Sequence, residues 1–282
     1  MAEKLIFLDI DGTLTPPGSN TPPESAMRAI RSAQARGHRI FLCTGRNPDM
    51  LSPVLRLGFE GAVASAGGYV FIGEKVLFDC PMPKDQFELG MRLLKQEGVF
   101  RTIEARDATF GDTGLEDFLS GAAQGNSELL RWRAALSEQL RIRPMAAYDG
   151  RPIYKIVFMC HSERQLLRAR EALEEAYRFV VQDVPSHACL NGEIINRRFD
   201  KGKGVRLVAE ACGVRLEDTI GMGDSMNDLE MMETVGTSVC MSNGSPALQA
   251  RSDLVCPAVD QDGLAWAFER LGLSEKMALR DL

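Results

Sequence analysis

Short hydrophobic runs alternate with amphipathic segments near the start of the chain. The segment Lys4–Asp11 contains a continuous apolar run, which is typical of a strand buried on both faces of a parallel sheet. Apolar residues at helical spacing follow over Glu24–Arg36, and Gly37 ends that predicted helix. Two more apolar runs, Arg39–Cys43 and Gly61–Ala64, predict a second and a third strand. This order predicts an α/β fold with parallel strands.

The pattern changes in the middle of the chain. Residues Tyr69–Phe78 predict a hairpin, and Pro81–Pro83 predicts a linker. Beyond the linker, helices and strands no longer alternate regularly, which favours an α+β domain of its own. Its predicted elements are the helices Phe87–Gln96, Glu128–Leu140 and Glu163–Ala176 and the strands Arg101–Ala105, Ile153–Cys160 and Phe179–Gln182.

Regular alternation returns after Lys201. The predicted elements there are the helix Gly202–Ala211, the strand Thr219–Met222, the helix Asn227–Glu233 and the strand Ser238–Cys240. We therefore predict an α/β core formed by residues 1–82 and 189–282, interrupted by an inserted domain of residues 83–188.

Composition and charge narrow the classes of partner. With 282 residues, 45% hydrophobic and 26% charged, the chain suits two globular domains. The 33 Lys and Arg residues against 39 Asp and Glu residues give a net charge of −6. This acidic balance disfavours nucleic-acid binding, which requires a basic surface, whereas small phosphorylated substrates need only a local cation.

The cysteines and the first residues of the chain indicate the cellular compartment in which we expect the protein. Seven scattered cysteines without a Cys-x-x-Cys motif predict neither a disulfide framework nor a zinc site, and favour a reducing compartment. The first apolar run is too short for an export signal or a membrane helix. We therefore expect a cytoplasmic protein with no membrane partner.

Two acidic motifs directly follow predicted strands. Asp9 and Asp11 belong to Asp-Ile-Asp-Gly-Thr, and Asp224, Asn227 and Asp228 belong to Gly-Asp-Ser-Met-Asn-Asp. Ligands of open α/β sheets bind where strands reach their carboxyl ends, and closely spaced carboxylates require a cation or a shared proton. Hard oxygen ligands suit Mg²⁺. An incidental acidic turn for the first motif, and a helix N-terminal charge for Asp228, are the alternatives.

Two further motifs are suited to binding an anion. Thr44 and Gly45 follow the second predicted strand, and a hydroxyl beside backbone N–H groups at a glycine turn can bind phosphate. Lys201 and Lys203 precede a predicted helix, and one of them could neutralise a phosphate as a point charge. Taken alone, the Thr-Gly motif is a weak signal, because such dipeptides cap many strands, and a solvated lysine at a helix start is the favoured interpretation of the lysine motif. Arg46 either contacts a substrate or caps a helix.

The four motifs, in this order, resemble those of the haloacid dehalogenase superfamily. The large late insertion resembles the Cof-type, class IIB branch of sugar-phosphatase-like enzymes. The resemblance covers the whole core, while the insert matches by position and length. It implies a Rossmann-like parallel-sheet core with an inserted α+β cap of the C2B type. It also implies a Mg²⁺-dependent phosphatase acting on a small phosphorylated metabolite, with a sugar phosphate favoured. Separately from the resemblance, we expect a monomer or weak homodimer.

The resemblance implies roles for the acidic residues. Asp9 would be the nucleophile that forms an aspartyl-phosphate. Asp11 would act as general acid towards the leaving alcohol and then as general base towards water. Mg²⁺ would be held by the Asp9 carboxylate, the Asp11 carbonyl and Asp224, with Asp228 as a further ligand or a supporting partner.

The resemblance also implies a phosphate-binding set. Thr44, Gly45 and Lys201 would bind the phosphoryl oxygens, and Asn227 would orient the phosphate or Lys201. Lys201 is preferred over Lys203 because the family pattern places lysine directly before glycine, although both lysines satisfy it.

One segment departs from the family. Residues Ser65–Gly68 stand where relatives often carry an Asn-Gly pair, so substrate choice does not follow by analogy. Two alternatives remain beside the phosphatase: a phosphotransferase or mutase using the same aspartyl-phosphate, and a receiver-like regulatory module. Asp11 and the cap disfavour the receiver, because a receiver needs a long-lived phosphoryl group.

Overall fold

The computed structural model describes residues 3–114, 142–182 and 190–275. The chain divides into two compact units. The first unit comprises Met1–Arg46, Leu51–Phe78 and Asp200–Leu282, and the second comprises Asn47–Met50 and Asp79–Phe199.

The described strands form two sheets. In chain order they are β1 (Leu5–Leu8), β2 (Arg39–Cys43), β3 (Gly61–Ala64), β4 (Tyr69–Ile72), β5 (Lys75–Asp79), β6 (Phe100–Ala105), β7 (Thr109–Gly111), β8 (Ile142–Pro144), β9 (Ile153–Cys160), β10 (Tyr177–Gln182), β11 (Leu190–Asn196), β12 (Thr219–Gly223), β13 (Thr237–Met241) and β14 (Leu254–Cys256).

The described α-helices connect these strands, and none of them is long and apolar enough to cross a membrane. In chain order they are α1 (Glu24–Ala35), α2 (Pro48–Leu55), α3 (Lys84–Gln96), α4 (Leu167–Leu173), α5 (Lys201–Cys212), α6 (Leu229–Met232), α7 (Pro246–Gln249) and α8 (Gly263–Arg270).

The sheet of the first unit has the strand order β14-β13-β12-β1-β2-β3-β4-β5. Neighbours from β14 to β3 pair in parallel, and β4 pairs antiparallel to β3. All four residues of β1 are buried, as the continuous apolar run predicts. Phe7 and Phe41, on neighbouring strands, stack with ring centroids 5.6 Å apart and share an apolar cluster with Val205 and Val208 of α5. The predicted α/β fold with a parallel-sheet core is confirmed.

The sheet of the second unit has the order β10-β11-β9-β6-β7-β8 and is antiparallel except for the parallel pair β7 and β8. The predicted insert ended at residue 188, which left Leu190–Asn196 in the core. That segment is instead β11, hydrogen-bonded to β9 and β10. The polar and glycine residues Asn191, Gly192 and Glu193 interrupt its apolar pattern, so the sequence gives only a weak strand signal there.

Several predicted boundaries also change. The predicted helix Glu163–Ala176 is a 3-10 turn over Glu163–Leu166 followed by α4. The predicted helix Asn227–Glu233 is likewise a 3-10 turn over Met226–Asp228 followed by α6. The predicted helix Glu128–Leu140 lies outside the described residues.

Candidate active site

Three neighbouring parallel strands deliver polar residues to one edge of the first sheet. Asp9 directly follows β1, Thr44 follows β2 and Asp224 follows β12. The register aligns the ends of these strands, because Leu8 of β1 lies opposite Met222 of β12 and Leu42 of β2. The amide of Asp9 continues this pairing by donating a 2.9 Å hydrogen bond to the Met222 carbonyl. Strand order and register therefore bring the residues that follow these three strands to one edge of the sheet, as the sequence analysis expects for strand ends.

Lys201, the first residue of α5, reaches this edge. Its Nζ lies 2.8 Å from Asp9 Oδ1, 2.5 Å from Asp228 Oδ1 and 3.2 Å from Asn227 Oδ1. The side chain is 1% exposed. Lys203 instead is half exposed, with its ammonium 3.6 Å from a carboxylate oxygen of Asp200. The structure thus brings Lys201 to Asp9 and leaves Lys203 at the surface.

Asp9, Asp224 and Asp228 form a buried carboxylate cluster, in which one oxygen from each lies within 4.8 Å of the others. Three carboxylates against the single ammonium of Lys201 leave two excess negative charges when all four groups are ionised. Uncompensated buried charge is costly, so this donor set fits a divalent cation that prefers oxygen ligands, such as Mg²⁺.

Asp228 also has contacts of its own within the chain. Besides receiving the Lys201 ammonium, it accepts hydrogen bonds through Oδ2 from the amides of Asp224 and Ser225, both at 3.1 Å. Both of its oxygens are therefore engaged by the chain. This arrangement favours a role in holding Lys201 and the turn after β12.

The cluster has unusual proton affinities. Burial raises the pKa of Asp9 to about 7, although the positive charge of Lys201 acts in the opposite direction. Burial and the charges of Asp9 and Asp228 raise the pKa of Asp224 well above its ordinary value. For Lys201, burial favours the neutral form, but the charges of Asp228 and Asp9 outweigh it and raise the pKa. A cation bound among the carboxylates would favour their ionised forms.

Two side chains that the sequence analysis did not identify, those of Thr13 and Asn243, hold the turn after β1 in place. The hydroxyl of Thr13 lies 3.5 Å from Asp224 Oδ1. Asn243 Nδ2 donates a 2.9 Å hydrogen bond to the carbonyl of Gly12. Gly12 has φ of 90°, and a Cβ there would collide with the Asp224 carboxylate. The Asn243-Gly244 pair, which begins two residues after the end of β13, is the signal that could have identified this contact, because it too lies close to a strand end.

Asp11 is not one of the three carboxylates of the cluster, and its side chain is paired with Arg46. Arg46 donates from Nε to Asp11 Oδ2 at 2.9 Å and from Nη2 to Asp11 Oδ1 at 2.7 Å. It also donates to Asn20 Oδ1 at 2.5 Å and to the carbonyl of Ser19 at 3.3 Å. The guanidinium of Arg46 thus ties Asp11 to the loop that follows, a contact that the sequence analysis did not predict.

Thr44 is buried beside this pair. Its amide donates a 2.9 Å hydrogen bond to the Val63 carbonyl, which continues the pairing of β2 with β3. Its hydroxyl accepts a 3.2 Å hydrogen bond from the amide of Arg46. Thr44 and Gly45 thus form the turn between β2 and Arg46, in the position predicted for a phosphate-binding loop.

Two curated phosphatases are similar to this chain over almost its whole length. YkrA of Bacillus subtilis, which is named as a phosphatase, is 30% identical over 97% of this chain and 99% of its own length. The 5-amino-6-(5-phospho-D-ribitylamino)uracil phosphatase YwtE of the same organism is 25% identical over 95% of this chain and 98% of its own length.

Solved structures share the fold. A haloacid dehalogenase-like hydrolase from B. subtilis superposes with a TM-score of 0.78 at 22% identity, covering 95% of this chain and 99% of its own. The subclass IIB sugar phosphatase BT4131 superposes with a TM-score of 0.75 at 21% identity, covering 96% and 99%. The family of haloacid dehalogenase-like hydrolases matches residues 6–268. The family predicted from the four motifs is therefore confirmed: the chain belongs to the haloacid dehalogenase-like hydrolases.

Proposed function

We propose that this chain is a Mg²⁺-dependent phosphatase that hydrolyses a small phosphorylated metabolite, with a sugar phosphate as the favoured class, in the cytoplasm. We expect a monomer or weak homodimer. The observation that carries the proposal is the convergence of the Lys201 ammonium and the Asp224 carboxylate on Asp9. A carboxylate between a fixed cation and a metal-ligand set is suited to attack an anionic phosphate.

Asp9 acts as the nucleophile in this proposal. One of its carboxylate oxygens forms a bond to phosphorus while the bond from phosphorus to the leaving oxygen breaks, which gives an aspartyl-phosphate and an alkoxide. Asp11 gives a proton to that alkoxide and later takes one from water. The water oxygen then attacks phosphorus, the bond to Asp9 breaks, and inorganic phosphate leaves.

The phosphoryl oxygens carry the charge of the transition state and require cations and hydrogen-bond donors. The Thr44 hydroxyl and the Lys201 ammonium supply these contacts, together with the amide of Gly45. Asn227 and Asp228 hold the Lys201 ammonium through hydrogen bonds at 3.2 Å and 2.5 Å. These interactions fix the ammonium before substrate binds, so little reorganisation is needed during the reaction.

The Asp9 and Asp224 carboxylates and the Asp11 carbonyl are the groups that would hold Mg²⁺. When bound, the ion supplies charge that lets anionic Asp9 approach an anionic phosphate. The excess of two negative charges in the cluster supports this assignment, and so does the raised pKa of both carboxylates.

The names of similar proteins support the substrate class. YwtE is named for a phosphorylated ribityl compound, and BT4131 is described as a sugar phosphatase. Both names describe phosphate esters of polyhydroxylated carbon chains, the class proposed here.

A library of phosphorylated metabolites tests the proposal, with inorganic phosphate release measured with and without Mg²⁺. We expect Mg²⁺-dependent release from at least one sugar phosphate and release at background level for Asp9→Asn. Asp260→Asn, which changes an exposed carboxylate, is the matched control and should retain wild-type activity. No release by the wild type across the library would contradict a phosphatase and favour a receiver-like module.

Adding free sugars to the same assay separates hydrolysis from transfer. A phosphatase releases inorganic phosphate whatever sugar is added. A phosphotransferase or mutase instead forms new sugar phosphates at the expense of free phosphate, because the aspartyl-phosphate on Asp9 is then attacked by an alcohol.

A further inference from the structure

A three-residue segment after β3 holds an unusual backbone conformation. Ser65 and Ala66 have φ of 50° and 56°, and Gly67 has φ of 103°. The left-handed region is unfavourable for residues that carry a Cβ, so two consecutive non-glycine residues occupy it only when their surroundings hold them there. All three residues are buried. Packing and hydrogen bonding, rather than local preference, therefore impose this conformation.

One side of the segment is bonded to the loop that follows β2. The amide of Ser65 donates a 2.8 Å hydrogen bond to the carbonyl of Arg46, and the amide of Ala66 donates a 3.0 Å hydrogen bond to the carbonyl of Thr44. Both acceptors belong to the proposed phosphate-binding loop. A shift of Ser65 or Ala66 would therefore move the backbone that carries the Thr44 hydroxyl.

The other side of the segment lies against the residue that precedes Lys201. A Cβ added to Gly67 would come well within 3.0 Å of the main-chain oxygen of Asp200. Asp200 is the N-cap of α5, where its side chain accepts a 2.7 Å hydrogen bond from the amide of Lys203. Lys201 is the next residue, so the backbone position of Asp200 determines where the ammonium can meet Asp9.

We propose that Ser65–Gly67 is a positioning segment that sets the separation between the Thr44 loop and the start of α5. With that separation fixed, the Thr44 hydroxyl and the Lys201 ammonium can contact the same phosphoryl group. The segment acts through the backbones of its neighbours and touches no reacting atom. The proposal rests on the proposed phosphatase function and adds to it the element that aligns its two phosphate-binding groups.

Variants of two glycines with nearly equal φ test the proposal. Gly67 and Gly58 have φ of 103° and 104°, but a Cβ at Gly58 would meet no described atom within 4 Å. Both variants to Ala therefore place a Cβ at the same unfavourable φ, and only Gly67→Ala pushes against Asp200. A displacement of about 1 Å of groups that position a substrate can lower a rate by about 100-fold.

We expect Gly67→Ala to lower kcat by about 10- to 100-fold with KM within about threefold of wild type, since the change affects alignment rather than uniform binding. Gly58→Ala should keep kcat within about twofold of wild type, because nothing in the site moves. Equal kcat values for the two variants would overturn the proposal.

Ala66→Gly keeps the proposal testable if Gly67→Ala does not fold. Glycine adopts positive φ at little cost but gives the segment more freedom. We expect a melting temperature at or above that of wild type together with a kcat lower by about threefold or more. An unchanged kcat for Ala66→Gly would overturn the positioning role.

The wild-type measurement separates failure of this inference from failure of the proposed function. Phosphate release by the wild type with unaffected segment variants would overturn the positioning role alone. Absence of release by the wild type would overturn the proposed function and this inference with it.

Discussion

The guanidinium of Arg46 binds the carboxylate of Asp11 through two parallel hydrogen bonds of 2.9 Å and 2.7 Å. The Arg46 side chain is 1% exposed, and its guanidinium also donates to Ser19 and Asn20, so the pair is fixed on both sides. Such bidentate pairs are specific in geometry as well as strong. Arg46 therefore orients the proposed general acid and base, which it contacts directly, and we assign it no contact with the phosphate.

Replacing Arg46 with Lys should impair the chemical step, because an ammonium cannot form the bidentate pair with the Asp11 carboxylate. We expect kcat to fall by about 10- to 100-fold, since a well-placed general acid and base contributes about 100-fold or more. The KM should change little. Steady-state kinetics of Arg46→Lys beside Arg28→Lys, which alters a half-exposed arginine, check this. A large rise in KM with unchanged kcat would indicate a substrate contact instead.

Substitution by Met at the two lysines near the start of α5 should have unequal effects on stability and on phosphate release. Lys201→Met removes the buried partner of Asp9 and Asp228, which should cost about 3–5 kcal/mol of unfolding free energy and reduce phosphate release to near background. Lys203→Met removes an exposed ion pair worth about 1 kcal/mol or less and should stay close to wild type. Urea unfolding and phosphate release measure both effects. Comparable losses for the two variants would contradict the assignment of Lys201.

The raised pKa of Asp9 predicts how metal-free stability depends on pH. Asp9 titrates near 7 in the folded chain against an ordinary value of 3.8, so between these values the folded state binds more protons than the unfolded state. Stability from this group is therefore lost as pH rises from about 4 to about 7. Asp224 shifts in the same direction.

The measurement is the unfolding free energy of wild type and Asp9→Asn in the presence of a chelator. Asparagine carries no charge, so Asp9→Asn should be more stable than wild type at about pH 8, and the difference should vanish towards about pH 4. Mg²⁺ should raise the melting temperature of wild type more at high pH than at low pH, because it binds ionised carboxylates. A gap between the two proteins that is independent of pH would contradict the raised pKa.

Asp224 should be required for metal binding. Asp224→Asn removes a charged oxygen ligand, so the rise in melting temperature produced by Mg²⁺ should be largely lost. Titration of each protein with Mg²⁺ in a thermal-shift experiment measures this, with Asp260→Asn as the exposed control. A full Mg²⁺-induced shift in Asp224→Asn would exclude it as a ligand.

The core fold could be predicted because its signals are local. The apolar run before Asp9 marks a strand buried on both faces, and the predicted strands Arg39–Cys43 and Gly61–Ala64 have the bounds observed. β11 could not be recognised as a strand, since Asn191 and Gly192 are stabilised there by cross-strand partners and not by their own propensity.

The candidate site likewise contains residues that could be placed from the sequence and residues that could not. Asp9, Thr44 and Asp224 could be placed together because strand ends of a parallel sheet share one edge. The role of Arg46 could not be predicted, because its partner Asp11 lies 35 residues away and the pairing depends on how the loop through Ser19 and Asn20 folds. The contact of Asn243 with Gly12 spans 231 residues, and its signal in the sequence is that Asn243 lies close to the end of a predicted strand.

Chemical trapping of the phosphorylated residue tests the central claim most directly. An aryl phosphate has a leaving group that needs no proton, so Asp11→Asn should still form the aspartyl-phosphate while its hydrolysis slows. Acid quenching, borohydride reduction and peptide mass spectrometry then locate the modified residue. The account predicts reduction of Asp9 to homoserine, more abundant in Asp11→Asn than in wild type. Phosphate release with Asp9 unmodified, or modification of another residue, would contradict it.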